Sequence, residues 1–260
     1  MQAPETAAGA ETVARALVQA RLRQQPVSAA PLEQLLAGPE DAYWVQELVA
    51  REAGWGSEVV ARHWKSGGPS RSGALTHAPL PAPGIWASPA DGSDFHFNFR
   101  LIEAEVALRL GREVTQEQAE ALTPEEAPAW IDGMTVSIEV VDSRWTEGPR
   151  TPALLKLADL QSHGALVRGE WKPFAPRDWA QQACTVQIGA AAPQAFRGTY
   201  ALADPTWLLP TWLRHVTRHG ATVPRGTVVT TGTWCGMLPA QKGDRVKAVF
   251  EGIGEAEVQL

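Results

Sequence analysis

The sequence has few cysteines, no excess of positive charge and no long apolar run, and each shortage excludes a class of protein. Its two cysteines, Cys184 and Cys235, are too few for a disulfide framework and lack the paired spacing of a zinc site. Its 29 acidic residues outnumber its 23 basic ones, and the resulting charge of −6 argues against binding to nucleic-acid phosphates. Because no stretch of about 18 apolar residues occurs, no membrane span is expected.

The amino terminus lacks a charged segment followed by an apolar one, so we expect no signal peptide. Together with the scarcity of cysteine, this predicts a cytoplasmic protein in a reducing compartment. The 260 residues are enough to bury a sizeable core. Tryptophan is the most frequent aromatic residue, and we expect the 11 tryptophans to fill the core and interfaces.

Hydrophobic spacing divides the chain into two regions. The first is helical, residues 1–58, with apolar residues at helical spacing over residues 11–23, 31–36 and 41–53. The second is a β-rich catalytic domain, residues 59–260, which begins with a short strand from residue 59 that runs into a flexible turn within residues 64–68. Further strands are predicted over residues 95–110, 135–141, 165–167, 184–188, 227–231, 245–250 and 255–260. Since helices do not alternate regularly with these strands, a doubly wound parallel sheet is not expected.

Other segments of the second region predict loops and short helices. Residues 66–92 are rich in Gly, Pro and Ser and predict a long loop, which at this length is either a functional lid or a misassigned secondary-structure element. Thr115 and Thr123 each begin a capping-box pattern. A further helix is expected between Asp204 and Gly220, with Pro210 marking either a kink or the true start.

Two carboxylates interrupt an apolar strand in the segment 101–108. Glu103 and Glu105 are two residues apart, so on a strand they point to the same face, whereas both faces of this strand otherwise carry apolar residues. Two buried like charges are costly unless one is protonated or a cation compensates them. The alternative is an edge strand on which the pair faces solvent.

Glu139 repeats the anomaly within the apolar run 136–141. Three acids on two buried strands predict a hard-cation site, because Mg²⁺ and Mn²⁺ prefer oxygen ligands and keep positions open for water or substrate. The alternative for Glu139 is an ion pair with an arginine.

Two further segments are candidates for the same site. Lys65 precedes a Gly-Gly turn, from which an amine can reach a pocket, although a lone lysine is usually a solvated surface charge. The segment 230–236, which follows a predicted strand, offers hydroxyls and a close backbone approach suited to binding an anion, although Gly-Thr turns are also common in purely structural roles. The six histidines show no zinc spacing.

Taken in order, these segments resemble the fumarylacetoacetate hydrolase superfamily. The resemblance rests on Lys65, the Glu103-Ala104-Glu105 pair, the Glu139–Arg144 run (Glu-Val-Val-Asp-Ser-Arg), the Gly226–Gly236 segment and the run 243–246 (Gly-Asp-Arg-Val), and it covers about residues 40–260. The hydratase/decarboxylase branch is the most similar part of that superfamily.

The resemblance implies an α+β fold, a mixed β-sandwich roll with an N-terminal helical region, in a homo-oligomer. It implies Mg²⁺ or Mn²⁺ held by Glu103, Glu105 and Glu139. Lys65 is then the catalytic lysine, and the substrate is a small 2-oxo acid. The residues implied to bind that substrate are Thr231, Gly232, Thr233 and Asp159.

The implied activity is a metal-dependent hydratase of aromatic catabolism, which adds water to a 2-hydroxy-2,4-dienoate to give a 4-hydroxy-2-oxo acid. One alternative is a 2-oxo-3-enedioate decarboxylase, and another is a catalytically weak partner subunit associated with a homologous decarboxylase. The sequence departs from the branch in the stretch after Lys65, at Leu160 in place of an asparagine, and at residues 80–83, where a loop acid is usual. These departures concern the groups expected to transfer protons.

Overall fold

A computed structural model describes residues 7–55 and 60–260. In these residues the α-helices are α1 (Ala7–Arg23), α2 (Pro39–Glu52), α3 (Gln116–Ala121), α4 (Ala153–Ala158) and α5 (Leu209–Thr217). The strands are β1 (His63–Gly67), β2 (Thr76–Pro79), β3 (Ile85–Ala87), β4 (Ala90–Asp91), β5 (Leu101–Leu110), β6 (Ile131–Val141), β7 (His163–Arg168), β8 (Lys172–Pro173), β9 (Ala183–Ile188), β10 (Gln194–Arg197), β11 (Val228–Thr230), β12 (Leu238–Pro239), β13 (Arg245–Phe250) and β14 (Gly254–Gln259).

The strands form two sheets. The larger has the order β2-β1-β11-β5-β6-β7-β3, with β12 beside β5 and β8 beside β6. The smaller has the order β10-β9-β13-β14-β4. β14 packs against β6 and β7, so the two sheets share a core to which Ile138, Val140, Phe250 and Val258 contribute. The mixed sandwich predicted from the sequence is the architecture of the structure.

The central strands β5 and β6 are apolar on both faces because each face is covered. β6 is buried along almost its whole length, and Ile102, Ala104 and Val106 of β5 are wholly buried. β5 pairs antiparallel with β6 from Leu101 to Leu110. This long pairing makes the middle of the large sheet its most extensively bonded part.

The amino-terminal helices pack on a second hydrophobic cluster. α1 and α2 contact each other and α4, and the cluster is completed by Trp145, which is wholly buried. The indole of Trp145 donates a hydrogen bond to the carbonyl of Leu155 at 2.9 Å. The helices thus share a core with residues far along the chain. The predicted division at residue 58 falls among residues 56–59, outside the described residues, and stays a prediction.

Most helix predictions agree with the structure. The first and third predicted helices correspond to α1 and α2, and the second is a 3-10 helix at Ala30–Leu35. Thr115 forms the predicted capping box at the start of α3. The pattern at Thr123 leads only to a 3-10 helix at Ala127–Trp130. Pro210 lies in the first turn of α5, so it marks the true helix start. None of the described helices combines the length and apolarity needed to cross a bilayer.

The predicted loop over residues 66–92 is wrong in part, because β2, β3 and β4 lie within it. These strands have two to four residues, and β2 and β3 are edge strands, where proline is tolerated because no ladder bond is lost. The strand predicted over residues 95–110 begins only at Leu101. Val59 of the segment preceding β1 lies outside the described residues.

His77 of β2 lies where the helices meet the large sheet. Its ring centroid is 4.7 Å from that of His215 in α5, which in turn lies 4.3 Å from that of Tyr43 in α2. Its Nδ1 is 2.9 Å from the hydroxyl of Ser66. Burial, and then the charge of Arg218, lowers the pKa of His77 to about 3. Burial also lowers the pKa of His215 well below its ordinary value. Both rings are therefore neutral in the folded protein at neutral pH.

We expect the protein to lose stability as the pH falls below about 6.5, where histidines of the unfolded chain become protonated. In that range the unfolded chain binds more protons than the folded one, so acid favours unfolding. The variant His77→Asn, whose side-chain amide can still bond Ser66, lacks one of these histidines. Its free energy of unfolding should therefore fall less steeply with decreasing pH than that of the unaltered protein, by up to about 1.4 kcal/mol per pH unit. Urea denaturation between neutral pH and pH 5 measures how the free energy of unfolding of each protein depends on pH. Equal slopes for the two proteins would contradict the assignment of His77 as a neutral ring in the folded state.

Candidate functional site

Strand pairing brings the three anomalous carboxylates together. β5 lies between β11 and β6, and Glu103 is directly opposite Glu139 in the β5–β6 register. Glu105 points to the same face two residues along β5. One carboxylate oxygen of each residue lies within 4.8 Å of the others. Glu105 is 1% exposed and Glu139 is 0% exposed. β5 is therefore an interior strand and not a solvent-facing edge, with Glu105 buried and Glu103 half-buried.

The two oxygens of Glu139 have different surroundings. Oε1 accepts a hydrogen bond from Nζ of Lys65 at 2.6 Å and lies 3.0 Å from Nδ1 of His163. Oε2 is buried and has no hydrogen-bond partner among the described residues. The partners of Glu139 are thus a lysine and a histidine and not an arginine. One oxygen remains free for a further ligand, since a buried carboxylate oxygen without a partner is costly.

Glu105 is held by the segment that follows β11. Its Oε2 accepts a hydrogen bond from the backbone N–H of Gly232 at 3.0 Å and another from the hydroxyl of Thr230. The same hydroxyl lies 2.9 Å from that of Ser137 on β6. Gly232 has φ +108°, a conformation that side chains rarely adopt, so glycine allows this close approach. The turn after β11 therefore positions one carboxylate oxygen.

Burial and mutual repulsion perturb the acids in different directions. Burial, and then the charge of Glu105, raises the pKa of Glu103 well above its ordinary range. Burial, and then the charge of Glu139, raises the pKa of Glu105. Burial acts in the same sense on Glu139, but the ammonium of Lys65 and the bond from His163 outweigh it and lower its pKa. Two of the three acids thus lack a compensating positive charge.

Lys65 is an ammonium group in this setting. Burial opposes its charge, but the neighbouring Glu139 and Glu103 outweigh that effect and raise its pKa. Its second acceptor is the carbonyl of Gln161 at 3.2 Å. At neutral pH it therefore holds its proton at Nζ and acts as a donor.

Glu103 and Glu105 open onto a cavity of about 370 Å³. Of the residues predicted to contact substrate, Gly232 and Thr233 line this cavity together with Lys65, Glu103 and Glu105. Thr231 is wholly buried, and its hydroxyl donates to the carbonyl of Val106 at 2.7 Å. Its hydroxyl is therefore committed to β5, whereas Gly232 and Thr233 face the cavity.

Asp159, also predicted to bind substrate, lies behind the cavity wall. Its Oδ1 accepts from Nε of Arg144 at 2.7 Å and from Arg21 at 3.0 Å, and its Oδ2 accepts from the backbone N–H of Arg144 at 2.9 Å. Arg144 also donates to Asp142, which lines the cavity. With both oxygens engaged and no exposure, Asp159 can affect a ligand only through these neighbours. Its role in binding stays a prediction.

A left-handed turn of three non-glycine residues follows Asp159. Leu160, Gln161 and Ser162 have φ values of 51°, 56° and 58°. Each such residue costs about 1–2 kcal/mol, so the surrounding structure must hold the turn. The carbonyl of Ser162 accepts from the N–H of Asp142 at 2.8 Å. An asparagine, which the family resemblance leads one to expect at position 160, suits this conformation, and leucine adopts it here without that advantage.

Several residues of the site were not singled out from the sequence. Gln161, Ser162 and Lys156 line the cavity, and His163 contacts Glu139. The hydroxyl of Ser162 is buried without a partner among the described residues. The only local signal was that His163 begins a short apolar strand. A left-handed turn without glycine or asparagine has no sequence signature.

Comparison with known proteins identifies relatives of the chain. Residues 83–260 match the family described as Fumarylacetoacetate (FAA) hydrolase C-terminal. Two curated relatives are 2-keto-4-pentenoate hydratase 1 and 2 of Dechloromonas aromatica (strain RCB), each 31% identical over 156 residues. These alignments cover 59% of this chain and 57% of each relative, a little over half of their length.

Solved structures share the fold over almost the whole chain. The 4-oxalocrotonate decarboxylase from Pseudomonas putida G7 superposes with a TM-score of 0.81 at 18% identity, as a complex with magnesium and adipate. The complex of the same enzyme with calcium and acetate superposes with a TM-score of 0.79 at 19% identity. Both comparisons cover 96% of this chain and 96% of the other chain. The 2-hydroxyhepta-2,4-diene-1,7-dioate isomerase from Mycobacterium marinum gives 0.56 at 18% identity, over 77% of this chain and 74% of that one. The chain belongs to the fumarylacetoacetate hydrolase family, as the order of its motifs predicted.

Proposed function

We propose that the protein is a divalent-metal-dependent enzyme that acts on a small 2-oxo acid. The observation that carries this proposal is the convergence of Glu103, Glu105 and Glu139 within 4.8 Å in the interior of a sheet. The free Oε2 of Glu139 and the uncompensated charge of the other two acids fit a hard cation with oxygen ligands, Mg²⁺ or Mn²⁺. The calcium and magnesium complexes of the decarboxylase from Pseudomonas putida G7 support the same type of site.

A bound divalent cation supplies Lewis-acid stabilisation of the negative charge that develops at the 2-oxo oxygen. The chain supplies the remaining functions. Gly232 and Thr233 line the cavity beside Glu103 and Glu105, which supports contact of this turn with the substrate carboxylate. The N–H of Gly232 already donates to Glu105, and the hydroxyl of Thr233 donates to the carbonyl of Gly236. Lys65 holds a proton at Nζ beside Glu139 and can donate it to, or orient, the reacting part of the substrate.

Proton transfer in this cavity depends on few groups. Once the three glutamates bind a cation, the ionisable side chains that still line the cavity in the described structure are Lys65, Asp142 and Lys156. The segment 80–83, where the resemblance places an acid, does not line it. Burial raises the pKa of Asp142. We therefore assign the catalytic role to Lys65 and consider Asp142 the second candidate.

The proposed reaction is hydration of a 2-hydroxy-2,4-dienoate to a 4-hydroxy-2-oxo acid in aromatic catabolism. The names of the two curated relatives support it. Decarboxylation of a 2-oxo-3-enedioate is the second candidate, because the decarboxylase from Pseudomonas putida G7 shares the fold over 96% of the chain. The family resemblance also supports a homo-oligomer in the cytoplasm, associated in one alternative with a homologous decarboxylase.

Adding Mg²⁺ or Mn²⁺ to metal-free protein should raise its stability, by about 2.7 kcal/mol at a concentration 100 times the dissociation constant. Glu105→Gln should abolish this gain and the calorimetric binding signal. Glutamine can still accept the bonds from Thr230 and Gly232 and removes a repelled charge, so the variant should fold. Glu170→Gln, at a side chain that is 82% exposed, is the control. Unchanged metal binding by Glu105→Gln would exclude the site.

His163 should position Glu139. Burial lowers the pKa of His163, so its ring is neutral. Because Nδ1 faces an ionised Glu139, the proton of the neutral ring must be on Nδ1. His163→Leu removes this donor and should weaken Mg²⁺ binding by about 10–100-fold, the usual effect of losing such a partner. His163→Asn retains an N–H at the position of Nδ1 and should restore most of the affinity. Calorimetry measures the Mg²⁺ affinity of both variants. An equal loss of affinity in the two would mean that His163 contributes packing and not a hydrogen bond to Glu139.

The two candidate reactions differ in their products. Incubation of the metal-loaded protein with 2-hydroxy-2,4-pentadienoate should give a 4-hydroxy-2-oxo acid, detected by mass spectrometry. Release of CO₂ from a 2-oxo-3-enedioate would favour the decarboxylase instead. Lys65→Met should abolish whichever activity is found. Failure to convert either compound, together with co-purification of an active homologue, would favour the partner-subunit alternative.

A further inference from the structure

The cavity has a second cationic side chain besides Lys65, and it forms no salt bridge with the carboxylates among the described residues. Among the described residues, the lysines and arginines that line it are Lys65 and Lys156. Lys65 is neutralised by Glu139. Lys156, in the last turn of α4, is half-buried and donates one hydrogen bond, to the carbonyl of Pro149 at 3.2 Å. It forms no ion pair in the part of the chain that the structure describes, so two of its three N–H donors are available.

The acid that shares this part of the lining is already engaged. Asp142 accepts from the N–H of Phe99 at 2.7 Å and from Arg144 at 3.3 Å. Arg144 is itself bound to Asp159. No carboxylate that lines the cavity in the described residues therefore neutralises the ammonium of Lys156.

The cavity runs along one face of β5, from the acids towards Lys156. Side chains two residues apart on a strand are about 7 Å apart, so Leu101, the first residue of β5, is one such step from Glu103. Phe99 precedes the strand by two residues. All three residues line the cavity. The ring of Phe99 packs on Gly148, and the neighbouring Pro149 accepts the hydrogen bond from Lys156. The ammonium thus lies at the Phe99 end, beyond an apolar middle section.

We propose that Lys156 binds a second carboxylate at the far end of the substrate, so that the preferred ligands of this cavity are linear 2-oxo dicarboxylates. This inference rests on the proposed function, since it assumes that the 2-oxo acid group lies at the Glu103 end. The apolar wall formed by Leu101 and Phe99 suits the carbon chain between the two carboxylates. Lys156 is then a specificity-determining residue. It does not select between hydration and decarboxylation, but for either reaction it favours substrates that carry a second carboxylate over those with an uncharged end, such as 2-hydroxy-2,4-pentadienoate.

The test compares two ligands with six carbons each. 2-Oxoadipate ends in a second carboxylate, and 2-oxohexanoate ends in a methyl group at the same position. Calorimetry with Mg²⁺-loaded protein measures both affinities. We expect 2-oxoadipate to bind about tenfold more tightly, the effect of one charge-assisted hydrogen bond. Lys156→Met should abolish that preference and leave the affinity for 2-oxohexanoate unchanged. Lys156→Arg should keep it, and so should the control Lys172→Met, which removes a lysine that is paired with Glu170 at the surface.

The outcomes separate the two levels of the proposal. If both acids bind equally to the unaltered protein, or if Lys156→Met keeps the preference, the role of Lys156 is wrong while the 2-oxo acid site stands. If neither acid binds in the presence of Mg²⁺, the proposed function fails, and the inference fails with it. An exposed charge pair is screened by salt, so a preference that falls as ionic strength rises would further support Lys156 as its source.

Discussion

Repulsion among three carboxylates, of which Glu105 and Glu139 are buried and Glu103 is half-buried, is the constraint on which the centre of this structure depends. The β5–β6 register places Glu103 opposite Glu139, and a slip of one residue would send Glu103 and Glu105 to the other face of the sheet. Lys65 compensates one of the three negative charges. A divalent cation would compensate the other two, so the charge balance of the cluster itself favours a cation of that valence.

Other strands of the large sheet contribute the groups that bond these carboxylates. β1 supplies Lys65, β7 supplies His163, and the segment that includes and follows β11 supplies Thr230 and Gly232. Because β11 and β7 flank β5 and β6, and β1 is next to β11, the conformations of Glu105 and Glu139 are set by the sheet and by the turn that follows β11. Such a preorganised set of ligands suits a site that must bind a cation at fixed geometry.

The amino-terminal helices support the cavity from behind. Arg21 of α1 donates to Asp159, which holds Arg144 next to the cavity wall. Tyr43 of α2 packs on His215, whose ring contacts His77. Through these contacts the helical region determines the placement of the left-handed turn and of β2, although none of its described residues lines the cavity.

The candidate acids could be predicted because a charge inside an apolar run conflicts with its surroundings locally. Glu103, Glu105 and Glu139 each show this conflict, and a two-residue spacing already indicates a shared face. The strands of residues 66–92 could not be predicted, because segments of two to four residues rich in proline and glycine carry no periodicity. Leu160 and Lys156 look ordinary in sequence, since their roles depend on neighbours that are distant along the chain.

The sequence by itself determined which residues are chemically unusual, the helical and β-rich regions, and, through the order of its motifs, the family. Those properties depend on residue type and short spacing, which the chain carries locally. Only the tertiary structure decided which oxygen of Glu139 is free, that Asp159 is behind the wall and that Lys156 shares a cavity with the acids. These depend on long-range pairing and side-chain packing, because hydrogen bonds between residues far apart in the chain exist only once the sheets have formed.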